Sequence, residues 1–186
     1  MPITLANMNS PEIWFAFLCG LFLIEAFLLL TFRMFPNFWG DTINIWYDQF
    51  GIIAIMLDVL IVLIGFWITQ WLYGLMFGVG VGIGKDFQLW KFILLFLAVQ
   101  ITHDFLFYFL IIKTSKGGNG IINLMKKYGT QHGVGTIAGD SLMVVLAVLA
   151  TYGLLSLETS FGSYVICLLC SLYVIGYLLY QRWNGA

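Results

Sequence analysis

Charged residues are scarce in this sequence: Asp, Glu, Lys and Arg make up 9% of its 186 residues, whereas 61% are hydrophobic. A soluble domain carries about a quarter charged residues, so this chain has too few to cover a water-facing surface. The shortage excludes a soluble globular domain and a nucleic-acid binder. The mean hydropathy of +0.97 is instead typical of a polytopic membrane protein.

Cysteine is rare as well. Cys19, Cys167 and Cys170 all lie inside apolar runs, so a secreted disulfide scaffold is a poor fit. A signal peptide is also not indicated, because the first eleven residues hold no Lys or Arg and the apolar run over 13–32 is too long for an h-region. We therefore expect this run to be a first membrane span.

Long apolar stretches dominate what is present. A helix needs roughly 20 mostly apolar residues to cross a bilayer, and five stretches have that length: 12–33, 50–72, 88–113, 134–156 and 162–182. Each is predicted to be helical, because lipid offers no partner for unpaired backbone groups. The sequence thus predicts an all-α transmembrane bundle, a single domain over 1–186, with an interfacial segment at about 118–130.

Lys and Arg are distributed unevenly over the two sides of such a bundle. One side would hold Arg33, Lys113, Lys116, Lys126, Lys127 and Arg182. The other would hold only Lys85 and Lys91. Because positively charged connections stay in the cytoplasm, the N-terminus is expected outside and the C-terminus inside. The four lysines of the third connection, Lys113, Lys116, Lys126 and Lys127, are expected to contact anionic lipid headgroups.

Aromatic side chains occur near the predicted span ends. They are Trp14, Trp39, Trp46, Tyr47, Trp71, Trp90 and Trp183. Trp and Tyr favour the headgroup level because one end of the ring system is polar and the rest apolar. The sequence therefore predicts an aromatic belt built from these residues.

Five ionisable residues interrupt the apolar spans: Glu25, Asp58, His103, Asp104 and Asp140. At about 1.5 Å per helical residue, all of them lie roughly 9–15 Å from the cytoplasmic ends of their helices. Charged groups inside a membrane are costly and usually face the bundle interior. A common depth on four helices of alternating direction therefore predicts one shared interior site.

Helical spacing adds polar companions to this site. Gln100, Asp104 and Tyr108 recur four residues apart, with His103 beside them. A second row consists of His132, Thr136 and Asp140, with Ser141 adjacent, and Tyr173 on the last helix falls at a similar depth. The predicted ion- or proton-binding residues are Glu25, Asp58, Gln100, His103, Asp104, Asp140 and Ser141.

The chemistry of these groups favours a cation. Four carboxylates and one imidazole do not all stay ionised in a low dielectric, so either protons or bound cations neutralise them. The working hypothesis is a channel or transporter that conducts or couples H⁺ or a metal ion, with Asp58, His103, Asp104 and Asp140 as candidate metal ligands.

Two alternatives stay open at this stage. One is a metal-dependent membrane enzyme with a bound metal ion as cofactor, against which stands the lack of a second buried histidine at metal-binding spacing. The other is a structural or assembly protein in which the polar groups only join helices. Self-association into a homo-oligomer is also left open.

One segment carries a resemblance. The stretch ITHDFLFYFLIIK, residues 101–113, followed by GDSLM, residues 139–143, resembles small multi-span membrane proteins encoded by large DNA viruses of algae and other protists. The resemblance covers less than a quarter of the chain and brings no activity with it. It implies a viral origin and a grouping of His103, Asp104, Asp140 and Ser141.

Overall fold

A computed structural model describes residues 4–78, 87–114, 117, 119–157 and 160–181. This part of the chain contains eight helices and no strand. They are α1 (Pro11–Met34), α2 (Pro36–Trp39), α3 (Asp41–Phe50), α4 (Ile52–Phe77), α5 (Leu89–Lys113), α6 (Gly120–His132), α7 (Val134–Ser156) and α8 (Phe161–Tyr180).

Five of these helices are long and apolar enough to cross a membrane: α1, α4, α5, α7 and α8. Each overlaps one of the five predicted spans, so the predicted all-α membrane bundle is confirmed. The expected interfacial segment at 118–130 corresponds to α6. Three of the residues that predict the orientation, Lys85, Lys116 and Arg182, lie outside the described residues.

Helix α1 is the centre of the bundle. Its most extensive contacts are with α7 and α8, and it also packs on α4. Helix α5 joins α4 to α7, so α1, α4, α5 and α7 form a ring with α8 on the outside of α1. This central position explains why α1 is the most buried of the five spans.

The half of the bundle near the start of α1 has a core of stacked aromatic rings. Phe17 of α1 lies face to face with Phe66 of α4, with 3.8 Å between ring centroids. Phe92 and Phe96 of α5 pack edge-on or tilted against Phe66. All four side chains are fully buried. Ring packing of this kind supplies the dispersion attraction that holds membrane helices together.

The opposite half is closed by the short helices. Helix α3 follows from the sequence because Ile43, Trp46, Tyr47 and Phe50 recur at i, i+3, i+4 and i+7, which makes one apolar face. Glycines with positive φ stand at both of its ends, Gly40 at 83° and Gly51 at 52°. The chain can thus turn sharply into and out of α3. Helix α6 packs beside α3 and begins at an Asn119 cap that accepts the Ile121 N–H at 2.9 Å.

The contact between α1 and α7 depends on Gly20. A Cβ atom at this position would lie 2.7 Å from Thr151 Oγ1 and 3.0 Å from the Thr151 backbone nitrogen. Thr151 itself is fully buried and donates a hydrogen bond to the Ala147 carbonyl at 2.6 Å, so it has little freedom to move. The two helices therefore approach closely only because residue 20 has no side chain.

We predict that Gly20→Ala lowers the free energy of unfolding in detergent by about 1–3 kcal/mol, because the added methyl group overpacks a fixed backbone contact. Gly153→Ala on α7 is the matched control, since a Cβ there meets no atom within 4 Å. Thermal unfolding of both variants measures the difference. Equal stability of the two variants would contradict the close contact.

Candidate functional site

Two carboxyl groups of the site meet at one phenol. Glu25 of α1 is 1% exposed, and its Oε1 accepts a hydrogen bond from the Tyr47 hydroxyl at 3.0 Å. The same hydroxyl lies 3.4 Å from Oδ2 of Asp58 on α4. The Trp46 indole N–H donates to that Asp58 oxygen at 3.1 Å. Helix α3 thus supplies both groups that contact the carboxyl pair.

The Tyr47 hydroxyl has a single proton but lies within hydrogen-bonding distance of two carboxyl groups. It can donate that proton to only one of them. The second contact is a hydrogen bond only when the other carboxyl is protonated and donates to the phenol oxygen. Both contacts of the Tyr47 hydroxyl are therefore hydrogen bonds when the carboxyl pair holds one proton.

A second polar group lies on α5. Gln100 Nε2 donates to Asp104 Oδ1 at 2.8 Å, and His103 Nδ1 lies 3.1 Å from the same oxygen. Asp104 points inward with 12% of its side chain exposed, whereas 39% of the His103 side chain is exposed. His103 therefore marks the edge of the site and Asp104 its interior.

Asp140 of α7 links the two groups. It is close enough to both Asp104 and Asp58 for their charges to interact with its own. Tyr128 of α6 in turn interacts with Asp140 and Asp58. The four acids Glu25, Asp58, Asp104 and Asp140, hereafter the acidic cluster, thus lie on four different helices and interact electrostatically.

Several oxygens of the site are buried without a hydrogen-bond partner among the described residues. They are Glu25 Oε2, Asp104 Oδ2 and the Thr136 hydroxyl one turn before Asp140. Buried polar atoms without a partner are costly, so sites that keep them usually hold a water, an ion or a proton there. The acidic cluster thus retains free acceptors in its interior.

Two tyrosines beside the acidic cluster, Tyr47 and Tyr128, favour the neutral form. Burial raises the pKa of Tyr47 well above its usual range, and the neighbouring Glu25 and Asp58 charges raise it further. Burial and the charges of Asp140 and Asp58 raise the pKa of Tyr128 to about 12. Both phenols therefore keep their protons at neutral pH, and Tyr47 donates a hydrogen bond to the carboxyl pair.

Two residues do not have the surroundings expected from the sequence. Ser141 is partly buried but makes no hydrogen bond to another described residue. Tyr173 is 78% exposed on the side of α8 that faces away from the bundle, so its expected place at the site is wrong. The side chain of His132 lies outside the described residues.

The two residues that α3 contributes to the site, Trp46 and Tyr47, were not predicted from the sequence. Trp46 and Tyr47 were expected in an aromatic belt, but they are 5% and 3% exposed and contact the carboxyl pair. The signal that could have found them is the i, i+3, i+4, i+7 apolar pattern of 43–50, which indicates a helix with one buried face.

The sequence assigns Arg33 only to the charges that predict the membrane orientation. In the structure its side chain is buried, with 3% exposed. Its guanidinium donates to Asn44 Oδ1 at 2.9 Å and to Asp48 Oδ1 at 2.5 Å, both on α3. A third bond reaches the Leu178 carbonyl of α8 at 3.3 Å. Arg33 thus fastens α3, and with it Trp46 and Tyr47, to the bundle.

The lysines expected to contact headgroups are in different situations. Lys113 and Lys127 are exposed. Lys126 instead donates to the Thr114 carbonyl beyond the end of α5. Lys116 lies outside the described residues. Headgroup binding therefore stays a prediction for Lys113 and Lys127, while Lys126 already has a partner within the chain.

The described residues contain no group of three or more His, Cys, Asp or Glu side chains placed to hold a metal ion. Comparison with protein-family models, with curated proteins and with solved structures finds no match. The class of protein is thus given by the fold, a helical membrane bundle with a buried acidic cluster. The viral resemblance stays a prediction.

We predict that Tyr128 makes the folded protein sensitive to alkaline pH. Its pKa is 10.0 in an unperturbed chain and about 12 here, so the fold favours the neutral phenol. The stability that neutral Tyr128 contributes to the fold is fully present below pH 10 and is lost as the pH rises through about 12. Thermal unfolding should show that the wild type loses of order 2 kcal/mol more than Tyr128→Phe over this range. An equal loss in both proteins would contradict the assignment.

Proposed function

We propose that the protein binds a cation, H⁺ or a metal ion, at the acidic cluster. It either conducts this cation across the membrane or couples the movement of the cation to transport. The observation that supports this most directly is the Tyr47 hydroxyl shared by Glu25 and Asp58, together with the unpaired acid oxygens Glu25 Oε2 and Asp104 Oδ2. Buried acids with free acceptor oxygens bind protons or cations and little else.

The distribution of polar groups favours a carrier over an open pore. The acidic cluster lies in one half of the bundle. The other half contains four fully buried rings, those of Phe17, Phe66, Phe92 and Phe96. These stacked, fully buried rings offer no oxygen ligand to a cation. A bound ion would cross only after the helices around these rings have moved, as in alternating access.

The site faces the cytoplasm in this proposal. Helices α3 and α6 cover the end of the bundle where Arg33, Lys113, Lys126 and Lys127 lie. Positively charged connections mark the cytoplasmic side, so the acidic cluster is expected within reach of cytoplasmic protons.

We predict that Asp58→Asn and Asp140→Asn each reduce ion flux into proteoliposomes by about 100-fold, because each removes a carboxyl that takes up and releases the ion. Glu12→Gln is the matched control, since Glu12 is exposed in the first turn of α1 and outside the cluster. A trapped pH-sensitive dye and radioactive cations measure the flux. If both Asn variants lose stability and no flux occurs even in wild type, the cluster is structural and the scaffold alternative is favoured.

Labelling of single cysteines from the two sides of the membrane tests the proposed orientation of the chain. In a background with Cys19, Cys167 and Cys170 replaced, Lys127→Cys should react with an impermeant thiol reagent only from the cytoplasmic side. Asn9→Cys should react only from outside, since both positions are exposed at opposite ends of the bundle. The reverse labelling pattern would overturn the proposed orientation.

A further inference from the structure

Helix α3 contributes two side chains, Trp46 and Tyr47, whose polar atoms contact the buried carboxyl pair. We propose that these two residues reserve the Glu25–Asp58 pair for a proton and exclude metal cations. The inference rests on the proposed function and narrows the transported ion to H⁺. Two features of the pair support this selectivity for a proton. Trp46 and Tyr47 both donate hydrogen bonds to it, and Glu25 Oε2 is buried without a partner among the described residues.

The Trp46 indole works against a metal cation at Asp58. An indole N–H is a donor only and has no lone pair to offer a cation. It lies 3.1 Å from Asp58 Oδ2, so a cation on that oxygen would meet the positive end of the N–H dipole. Trp46 is 5% exposed and packs against Phe50, which holds the indole in this position.

Burial of the site adds a second barrier to metal cations. Hard cations such as Ca²⁺ and Mg²⁺ require about six oxygen ligands or retained waters. Glu25 and Tyr47 are 1% and 3% exposed, and Glu25 Oε2 is the one oxygen of Glu25 with no partner among the described residues. A metal cation on Glu25 Oε2 would lose its hydration shell without replacement, whereas a proton needs a single oxygen.

The same geometry gives the proton a route between the two carboxyls. When Asp58 is protonated, it donates to the Tyr47 oxygen while Tyr47 donates to Glu25. A concerted shift then moves the Asp58 proton to the Tyr47 oxygen and the Tyr47 proton to Glu25. The products are a neutral Glu25, a neutral Tyr47 that now donates to Asp58, and an Asp58 carboxylate. One O–H bond breaks and one forms at Tyr47, so no tyrosinate arises and charge is conserved.

Ion selectivity in proteoliposomes tests the proposal. The wild type should pass H⁺ and exclude Na⁺ and K⁺. Trp46→Phe keeps an aromatic ring without the N–H, and it should raise the ratio of Na⁺ to H⁺ flux roughly tenfold. Tyr47→Phe removes the relay and should lower H⁺ flux about 100-fold. Trp71→Phe and Tyr177→Phe are the matched controls, since both side chains are more than half exposed at 52% and 69%.

A second measurement does not depend on transport. Infrared difference spectroscopy on the purified protein should show the carbonyl band of one protonated carboxylic acid, which Glu25→Gln and Asp58→Asn both alter. Replacing choline by Na⁺ should leave this band unchanged in wild type and diminish it in Trp46→Phe. A band that Na⁺ removes from the wild type would overturn the inference. An unchanged band in a protein that moves no ion would overturn the proposed transport function and leave the reserved proton standing.

Discussion

The hydrogen bond between Tyr47 and the buried Glu25 carboxyl is the interaction on which the polar half of the bundle depends. A carboxyl group removed from water is costly unless a donor replaces the lost hydration. The phenol fulfils this role and binds Asp58 at the same time, which ties α1, α3 and α4 together. Because both contacts are hydrogen bonds only when the phenol and one of the two carboxyls carry a proton, the contact that stabilises the bundle also favours one bound proton at the carboxyl pair.

That interaction requires α3 to be fixed in place, and Arg33 provides the fixation. Its guanidinium bonds to Asn44 and Asp48 of α3 and to a carbonyl of α8. Removing one partner from a buried charge network leaves the other uncompensated, which is strongly destabilising. Arg33, one of the charges from which the orientation is predicted, thus also positions the hydrogen-bond donors of the acidic cluster.

The bundle is divided by depth into an aromatic half and a polar half. Close contact at Gly20 and stacking of Phe17 on Phe66 make the aromatic half closely packed. The polar half retains free acceptor oxygens and the partly exposed His103 beside Asp104. In the proposed carrier, this division separates the ion-binding carboxyls from an apolar layer.

The order of apolar runs along the chain was sufficient to predict the five spans, because a bilayer requires helices of one minimum length. It also predicted a common depth for Glu25, Asp58, Asp104 and Asp140, since depth follows from position along a helix of known rise. The direction in which Tyr173 points could not be predicted, because a tyrosine is tolerated both in a bundle interior and at its lipid-facing surface.

Only the tertiary structure decided which groups satisfy the buried acids. Trp46 and Tyr47 lie on the apolar face of a short helix, and the spacing of that face indicates burial without indicating which groups it contacts. The outcome depends on the docking of α3 against α1 and α4, a contact between segments that no local pattern specifies. The sequence alone thus determined the spans and the depth of the acids, and the packing of α3 determined their hydrogen-bond donors.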